Sequence, residues 1–266
     1  YMPLKTINIK KPKICLVVTT FPKLSETFIV NKFLGLIERG WDVHLVCSTS
    51  PKQAWKLFPK LDTRQVRSRV HRLWSFSPRW LALALIPLAV LRCFFAKPGL
   101  TWRYFKRTWP IFGWRAPWQL FLDAELICLQ PDILHFEFGA PATKKMYLKN
   151  ILDCEVVVSF RGYDLNFSGL DQPGYYQAVW ENADILHLLG DDLWQRAQKR
   201  GCPSEKPHAL IPPAIDSTIF FQANKDEPTD HAGTQPRPVR ILSVGRLEWK
   251  KGYEFALQAV KLLQEQ

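Results

Sequence analysis

Apolar runs alternate with amphipathic stretches along most of this chain. Lys13-Ile-Cys-Leu-Val-Val-Thr-Thr20 is a near-continuous run rich in β-branched residues, the pattern of a strand buried on both faces in a parallel sheet. After Phe21-Pro-Lys-Leu, Ser25 is placed to cap a helix whose apolar positions Ile29, Phe33, Leu36 and Ile37 follow the 3.6-residue period, and Gly40 ends it. Residues 41–47 give a second strand. A βαβ opening of this kind predicts an α/β, Rossmann-like doubly wound parallel sheet with its ligand crevice at the carboxyl ends of the strands.

The alternation breaks after residue 51 and resumes near residue 118. From there the pattern predicts a helix at 118–129, a strand at 132–138, a helix from about 141 to 152 and a strand at 155–160. A strand at 184–189 leads into a helix at 191–201 that is acidic at its start, basic at its end and closed by Gly201, as the helix dipole favours. A short strand at 209–212 follows. Residues 222–238 hold no large apolar side chain and three prolines, and read as a linker. Beyond it, 239–244 has strand character and 253–263 is an amphipathic helix. One strand and one helix cannot bury a core. The expected organisation is therefore a domain at 1–221, a linker at 222–238, and at 239–266 the opening strand-helix unit of a second, truncated Rossmann-like domain.

Composition sharpens this picture in two places. The chain has 266 residues, 47% hydrophobic and 13% aromatic, enough for a sizeable core, and a net charge of +12 that suggests nucleic acid or an anionic membrane as partner. The charge is concentrated. Residues 52–118 carry fourteen Lys and Arg and the single acid Asp62, a local +13 that leaves the remainder at −1, and they hold seven of the eleven Trp. This basic, Trp-rich insert admits two readings: a buried helix at 81–95 with solvated basic flanks, or apposition to an anionic membrane surface. On the second reading, charge reversal at Arg64, Arg67, Arg69 and Arg72 should abolish liposome binding. A sequence-reading nucleic-acid motif is absent, so no nucleic-acid partner is expected. The longest uncharged apolar stretch, 80–91, is broken by Pro87 and too short to span a bilayer. The six cysteines show no CxxC pair or zinc-ligand spacing, so reduced cytosolic thiols and no metal are expected. Residues 1–12 are polar and basic, unlike a secretory signal.

Four loops carry candidate chemistry. Ser25, Glu26 and Thr27, with Lys23, occupy the first βα loop, either lining the crevice or forming a plain capping turn. His135 and Glu137 end a strand, where one or both could face the crevice or be satisfied core residues. In Arg161-Gly162-Tyr-Asp164 the glycine allows close backbone approach and Arg161 could bind a phosphate or carboxylate, or simply pair with Asp164. Gly245-Arg246-Leu-Glu-Trp-Lys-Lys251-Gly252 joins a strand to a helix N-terminus, a setting in which Arg246 and Lys251 suit a pyrophosphate. The chain lacks GxGxxG, which argues against a nicotinamide dehydrogenase or a related epimerase, and no catalytic-triad order, metal quartet or P-loop is present.

Five segments together are distinctive: Phe21-Pro-Lys-Leu-Ser-Glu-Thr-Phe-Ile29, His135-Phe-Glu-Phe-Gly139, Ser159-Phe-Arg-Gly-Tyr-Asp164, Ile211-Pro-Pro-Ala-Ile-Asp-Ser-Thr-Ile-Phe220 and Val244-Gly-Arg-Leu-Glu-Trp-Lys-Lys-Gly252. In order and spacing they resemble glycosyltransferase family 4, group 1, of the GT-B fold, nearest to its colanic-acid and exopolysaccharide branch. The resemblance implies two Rossmann-like domains, the first for the acceptor and the second for a nucleotide-sugar donor, with metal-independent, cofactor-free, retaining transfer. It places Arg246 and Lys251 on the donor diphosphate, and His135, Glu137 and Arg161 at the catalytic positions. Ser25, Glu26, Thr27, Gly162 and Asp164 fall on acceptor-side loops. It also implies a glycan or polyprenyl-linked acceptor and a cytoplasmic location at the inner face of the plasma membrane. The chain departs from the family where Arg161 stands for a usual His, where Glu137 stands for a common second His, and in lacking the downstream E-x7-E element. Those departures leave a non-catalytic acceptor-binding or remnant module as the alternative.

Overall fold

The computed structural model describes residues 11–74, 79–214, 241–245 and 247–264. Seven parallel strands form one sheet in the order β3-β2-β1-β4-β5-β6-β7. They are β1 (Lys13–Thr20), β2 (Asp42–Thr49), β3 (Val70–Arg72), β4 (Ile133–Phe136), β5 (Glu155–Ser159), β6 (Ile185–Leu188) and β7 (His208–Leu210). The fold is α/β and Rossmann-like, as the alternation predicts. β1 is central because both its faces are apolar: Cys15 and Val17 join one core cluster, Leu16 and Val18 the other. Chain order reverses between β1 and β4, and such a switch point opens a crevice at the carboxyl ends of the strands.

Helix α1 (Thr27–Glu38) returns the chain from β1 to β2 and buries Ile29, Val30 and Phe33. Ser25 does not cap it: a 3-10 turn at Leu24–Glu26 comes first, and the residue preceding α1 is Glu26, with no side-chain capping bond. Two single turns, α2 (Lys52–Trp55) and α3 (Arg64–Arg67), lead to β3. The expected insert is thus partly sheet, because β3 pairs with β2 through Leu45↔Val70 to Cys47↔Arg72. Three residues of β3 are too few for a periodicity signal, and Arg69 precedes them and Arg72 ends them.

The rest of the segment is helical: α4 (Arg79–Ala96), α5 (Pro98–Phe112) and α6 (Ala116–Leu129). α4 has one buried face and one outward face. Ala82, Ala89 and Cys93 form a small, fully buried face, and Cys93 Sγ sits 3.9 Å from both the Ala124 carbonyl and Cys128 Sγ of α6. Its larger residues Leu83, Leu88, Leu91 and Phe95 face outward. All six cysteines are free thiols.

The helix expected at 141–152 is broken into α7 (Gly139–Ala142) and α8 (Leu148–Leu152). Short helices α9 (Gly162–Asn166) and α10 (Gln177–Asn182) follow β5, and α11 (Asp191–Lys199) follows β6. The chain divides into two units, Tyr1–Ile215 and Asp216–Gln266. In the second, a 3-10 turn at Trp249–Lys251 precedes α12 (Tyr253–Gln264), on which Phe255, Leu257, Leu262 and Leu263 are exposed. Residues 241–244 carry no strand assignment, contrary to expectation, since a strand exists only with a hydrogen-bonded neighbour and none is present among the described residues. The linker at 222–238 and Arg246 lie outside the described residues.

Candidate functional site

The pleat of β4 determines which side chains reach the crevice. Leu134 and Phe136 point into one core, so His135 and the next residue of that parity, Glu137, lie on the opposite face, the face of Leu16, with which His135 is in register. α1 runs on that side and brings Lys32 and Phe28. β5 and β6 contribute Ser159 and His187, which are register partners.

Glu137 is fully buried between two cations. Lys32 Nζ lies 2.5 Å from its Oε1, and Arg161 donates to its Oε2 at 3.4 Å. The guanidinium of Arg161 also stacks on Phe28, with Cζ 4.3 Å from the ring centroid, and its Nε is buried without a hydrogen-bond partner among the described residues. Burial alone would raise the Glu137 carboxyl, but His135, Lys32 and Arg161 outweigh it and hold the group below its ordinary value. Burial lowers both Lys32 and Arg161, with Glu137 opposing. One buried carboxylate is therefore what keeps two cations together at the carboxyl ends of β4 and β5.

A directed hydrogen-bond chain runs across the strands beside this group. Burial first, and the surrounding cations with it, push His135 down to about 3, and His187 is lowered chiefly by burial as well, so both rings are neutral at physiological pH. The Ile211 carbonyl can only accept, so His187 Nε2, 3.2 Å away, carries the proton and Nδ1 is the acceptor. Ser159 Oγ then donates to His187 Nδ1 at 2.8 Å and accepts from His135 Nε2–H at 2.8 Å. His135 Nδ1 is left bare, with Lys32 Nζ 3.3 Å away to donate to it. The sequence singled out neither Lys32, Ser159 nor His187 as a chemical group. Their common signal is that each falls on the face of His135, which is visible only once β4, β5 and β6 are paired.

The remaining candidates separate. Asp164 is structural rather than paired with the Arg161 side chain. Its Oδ1 accepts from the backbone N–H of Gly139 and Ala140 at 3.0 and 3.2 Å, and its Oδ2 from that of Arg161 at 3.0 Å, which ties the loops after β4 and β5 together. Burial raises its carboxyl, with the three backbone donors opposing. Gly162 opens α9 in roomy surroundings, whereas a Cβ on Gly139 would collide with the Phe160 ring, so Gly139 is the more constrained of the two. Ser25 and Thr27 are exposed, and Glu26 pairs with Lys23 at 2.5 Å. Lys251 ends the turn before α12 in the second unit. Among the described residues no cluster of His, Cys, Asp and Glu has a metal-binding arrangement.

No protein-family profile matches the chain. Among curated proteins, the colanic acid biosynthesis glycosyltransferase WcaL of Escherichia coli K12 is 26% identical, aligned over 92% of this chain and 59% of its own length. WcaL of Salmonella typhimurium LT2 is 27% identical, over 96% of this chain and 61% of its own length. The amylovoran biosynthesis glycosyltransferase AmsK of Erwinia amylovora is 24% identical, over 92% and 60%. This chain therefore spans 59–61% of the length of these relatives. A solved structure of a UDP-N-acetylglucosamine 2-epimerase aligns with 76% of this chain and 48% of its own at 14% identity and a TM-score of 0.43.

Proposed function

We propose that this chain is the acceptor-side part of a GT-B, family 4 glycosyltransferase that moves a sugar from a nucleotide-sugar donor to a glycan or polyprenyl-linked acceptor in exopolysaccharide assembly. The observation that carries the reading is the charged cluster of Lys32, Glu137 and Arg161 beside a neutral His135, seated at the β1/β4 switch point of an all-parallel sheet. Such a crevice is where α/β sheets hold ligands. Three relatives aligned along more than nine-tenths of this chain, all named as glycosyltransferases of polysaccharide biosynthesis, support it.

In this reading the residues hold and orient rather than supply a cofactor or metal. Glu137 stays anionic and fully buried, so it acts through Lys32 and Arg161, which it holds at fixed positions, and His135 is locked in one tautomer by Ser159 and His187. Arg246 and Lys251 would offset charge on the leaving nucleotide diphosphate, the role that preorganised cations serve best. Retention at the anomeric carbon belongs to the same proposal.

Deleting the gene in its native cell and complementing it with wild type or Glu137→Ala tests this. The deletion should remove one sugar residue, or the whole polymer, from the surface polysaccharide, and the Ala variant, compared at a protein level equal to wild type by immunoblot, should restore about 1% or less of the wild-type amount, as expected when the cations that face the transition state lose their fixed positions. Unchanged polysaccharide in the deletion would overturn the transferase reading. Equal rescue by the Ala variant would favour the alternative, a binding module without turnover.

The proposal includes an anionic membrane surface as partner, at the inner face of the plasma membrane. No helix among the described residues is long and apolar enough to cross a membrane. The outward strip of α5 bears Trp102 and Trp109, 69% and 56% exposed, and Trp114 follows in the next turn at 79%. Beside them Arg103, Lys106 and Arg107 line one concavity. Exposed indoles interleaved with cations suit an anionic lipid interface. Arg67 and Arg69, by contrast, are engaged with Asp62 and Asp42. Reversing Arg103, Lys106 and Arg107 to Glu should lower binding to vesicles rich in anionic lipid by about 100-fold, at roughly 1 kcal/mol per cation near the surface. Reversal that leaves sedimentation with vesicles unchanged removes the membrane from the proposal.

A further inference from the structure

A second cavity opens along the same edge of the sheet, at the carboxyl ends of β2 and β3. It has a volume of about 610 Å³, and its walls include Lys52, Lys56, Arg67 and Arg72, with Asp62 as the only acid among the described residues. The sequence pattern leads there directly: Lys52 and Lys56 are four apart across the turn of α2, and Arg72 is in register with Cys47 at the end of the sheet.

The charge is unbalanced. Arg67 pairs with Asp62 at 2.6 Å, while Lys52, Lys56 and Arg72 have no ion-pair partner among the described residues. Cys47 on the floor adds no negative charge at neutral pH, because burial pushes its thiol up to about 11. Three uncompensated cations around one concavity repel each other and create a local positive potential that an anion relieves.

The cavity also holds a fixed flat surface. Trp55 is half-buried, its indole N–H donates to Ser50 Oγ at 2.8 Å, and it meets Phe21 edge-on with centroids 6.1 Å apart. Arg67 lies over the ring at 5.1 Å. An indole immobilised this way offers apolar area at little further entropic cost.

We propose that this cavity binds an acidic saccharide unit, its sugar ring against Trp55 and its phosphate or carboxylate on Lys52, Lys56 and Arg72. The saccharide part rests on the acceptor-side reading above, and the anion part does not. The site would select acceptors that carry an acid.

Calorimetric titration of the 266-residue chain tests it, with glucose 6-phosphate, glucuronate, glucose and inorganic phosphate as probes. Glucose 6-phosphate or glucuronate should bind at least about tenfold more tightly than glucose and than phosphate alone, since one charge-assisted contact is worth about a decade. Whichever of the two acidic sugars binds identifies the acid as a phosphate ester or a carboxylate. The variant Lys52→Ala/Lys56→Ala/Arg72→Ala, which alters only exposed residues, should lose about tenfold or more of that affinity. A control variant, Lys106→Ala/Arg107→Ala, should lose none. Failure of both acidic sugars to bind, binding retained in the triple variant, or an equal loss in the control would each overturn the proposal. No donor or turnover enters the measurement, so its outcome is independent of the gene-deletion test.

Discussion

Glu137→Gln should lower the unfolding free energy by about 3–5 kcal/mol, the usual cost of leaving buried charge without its partner. The side chain keeps its volume, so no cavity forms, and the loss comes from electrostatics. Lys32 and Arg161 both lie against this carboxylate and are both already disfavoured by burial. Without it, the Lys32 ammonium has no compensating charge and its folded-state pKa falls further. A lysine lowered in the folded state binds fewer protons than in the unfolded chain, so the variant should regain stability as the pH rises towards the unfolded value. Urea denaturation at several pH values measures both effects. The double variant Lys32→Met/Glu137→Gln should recover part of the loss, because the stranded ammonium is gone. A loss below about 1 kcal/mol in the single variant, the range of exposed pairs, would mean that the cluster is not a buried charge network.

Acidification is expected to weaken the fold well before the carboxylates titrate. His135 is held down to about 3 by burial, whereas in the unfolded chain it titrates near 6.5. Between those values the unfolded state binds a proton that the folded state refuses. Stability from this group is therefore fully present above about 6.5 and falls as the pH drops, by about 1.4 kcal/mol per unit, or roughly 2 kcal/mol by pH 5. His187, His44 and His71 are also lowered, so they act in the same direction. Glu137 is lowered as well, and its contribution is lost only as the pH falls below the normal carboxylate range. His135→Asn should flatten the stability profile between pH 6.5 and 5 without abolishing its slope, since three other histidines remain. Parallel profiles for wild type and variant would show that His135 accepts a proton in the folded state. The Lys32 contact to His135 Nδ1 would then be lost, because both groups would be donors, while the order from His135 Nε2 through Ser159 and His187 to Ile211 would be unchanged.

Much of the scaffold was legible in the sequence. The strand at residues 13–20 coincides with β1, and the helices at 191–201 and 253–263 match α11 and α12 to within two residues. These elements are specified locally, by continuous apolar runs or by amphipathic periods closed with capping signals. The segment at 52–118 was legible only as composition. Its cations look like one population in sequence, but they are divided among an edge strand, a cavity wall and the outer strip of α5. Of its tryptophans, Trp55 and Trp74 are partly buried, with Trp74 donating to Glu125, while Trp102, Trp109 and Trp114 stay exposed. Composition counts side chains and cannot assign them to faces.

The site divides in the same way. Hydrophobic patterning along the chain determined that a parallel sheet forms and that His135, Glu137 and Arg161 stand at the ends of its strands. Those facts depend on neighbours within a few residues. Only the tertiary structure decided that Lys32, more than a hundred positions before Glu137, is its ion-pair partner. Pairing across the sheet likewise made Ser159 and His187 the continuation of His135, and placed Asp164 on backbone donors instead of on the Arg161 side chain. Strand register and helix docking bring together groups that no local period relates, and in a buried crevice such proximity determines which groups carry charge.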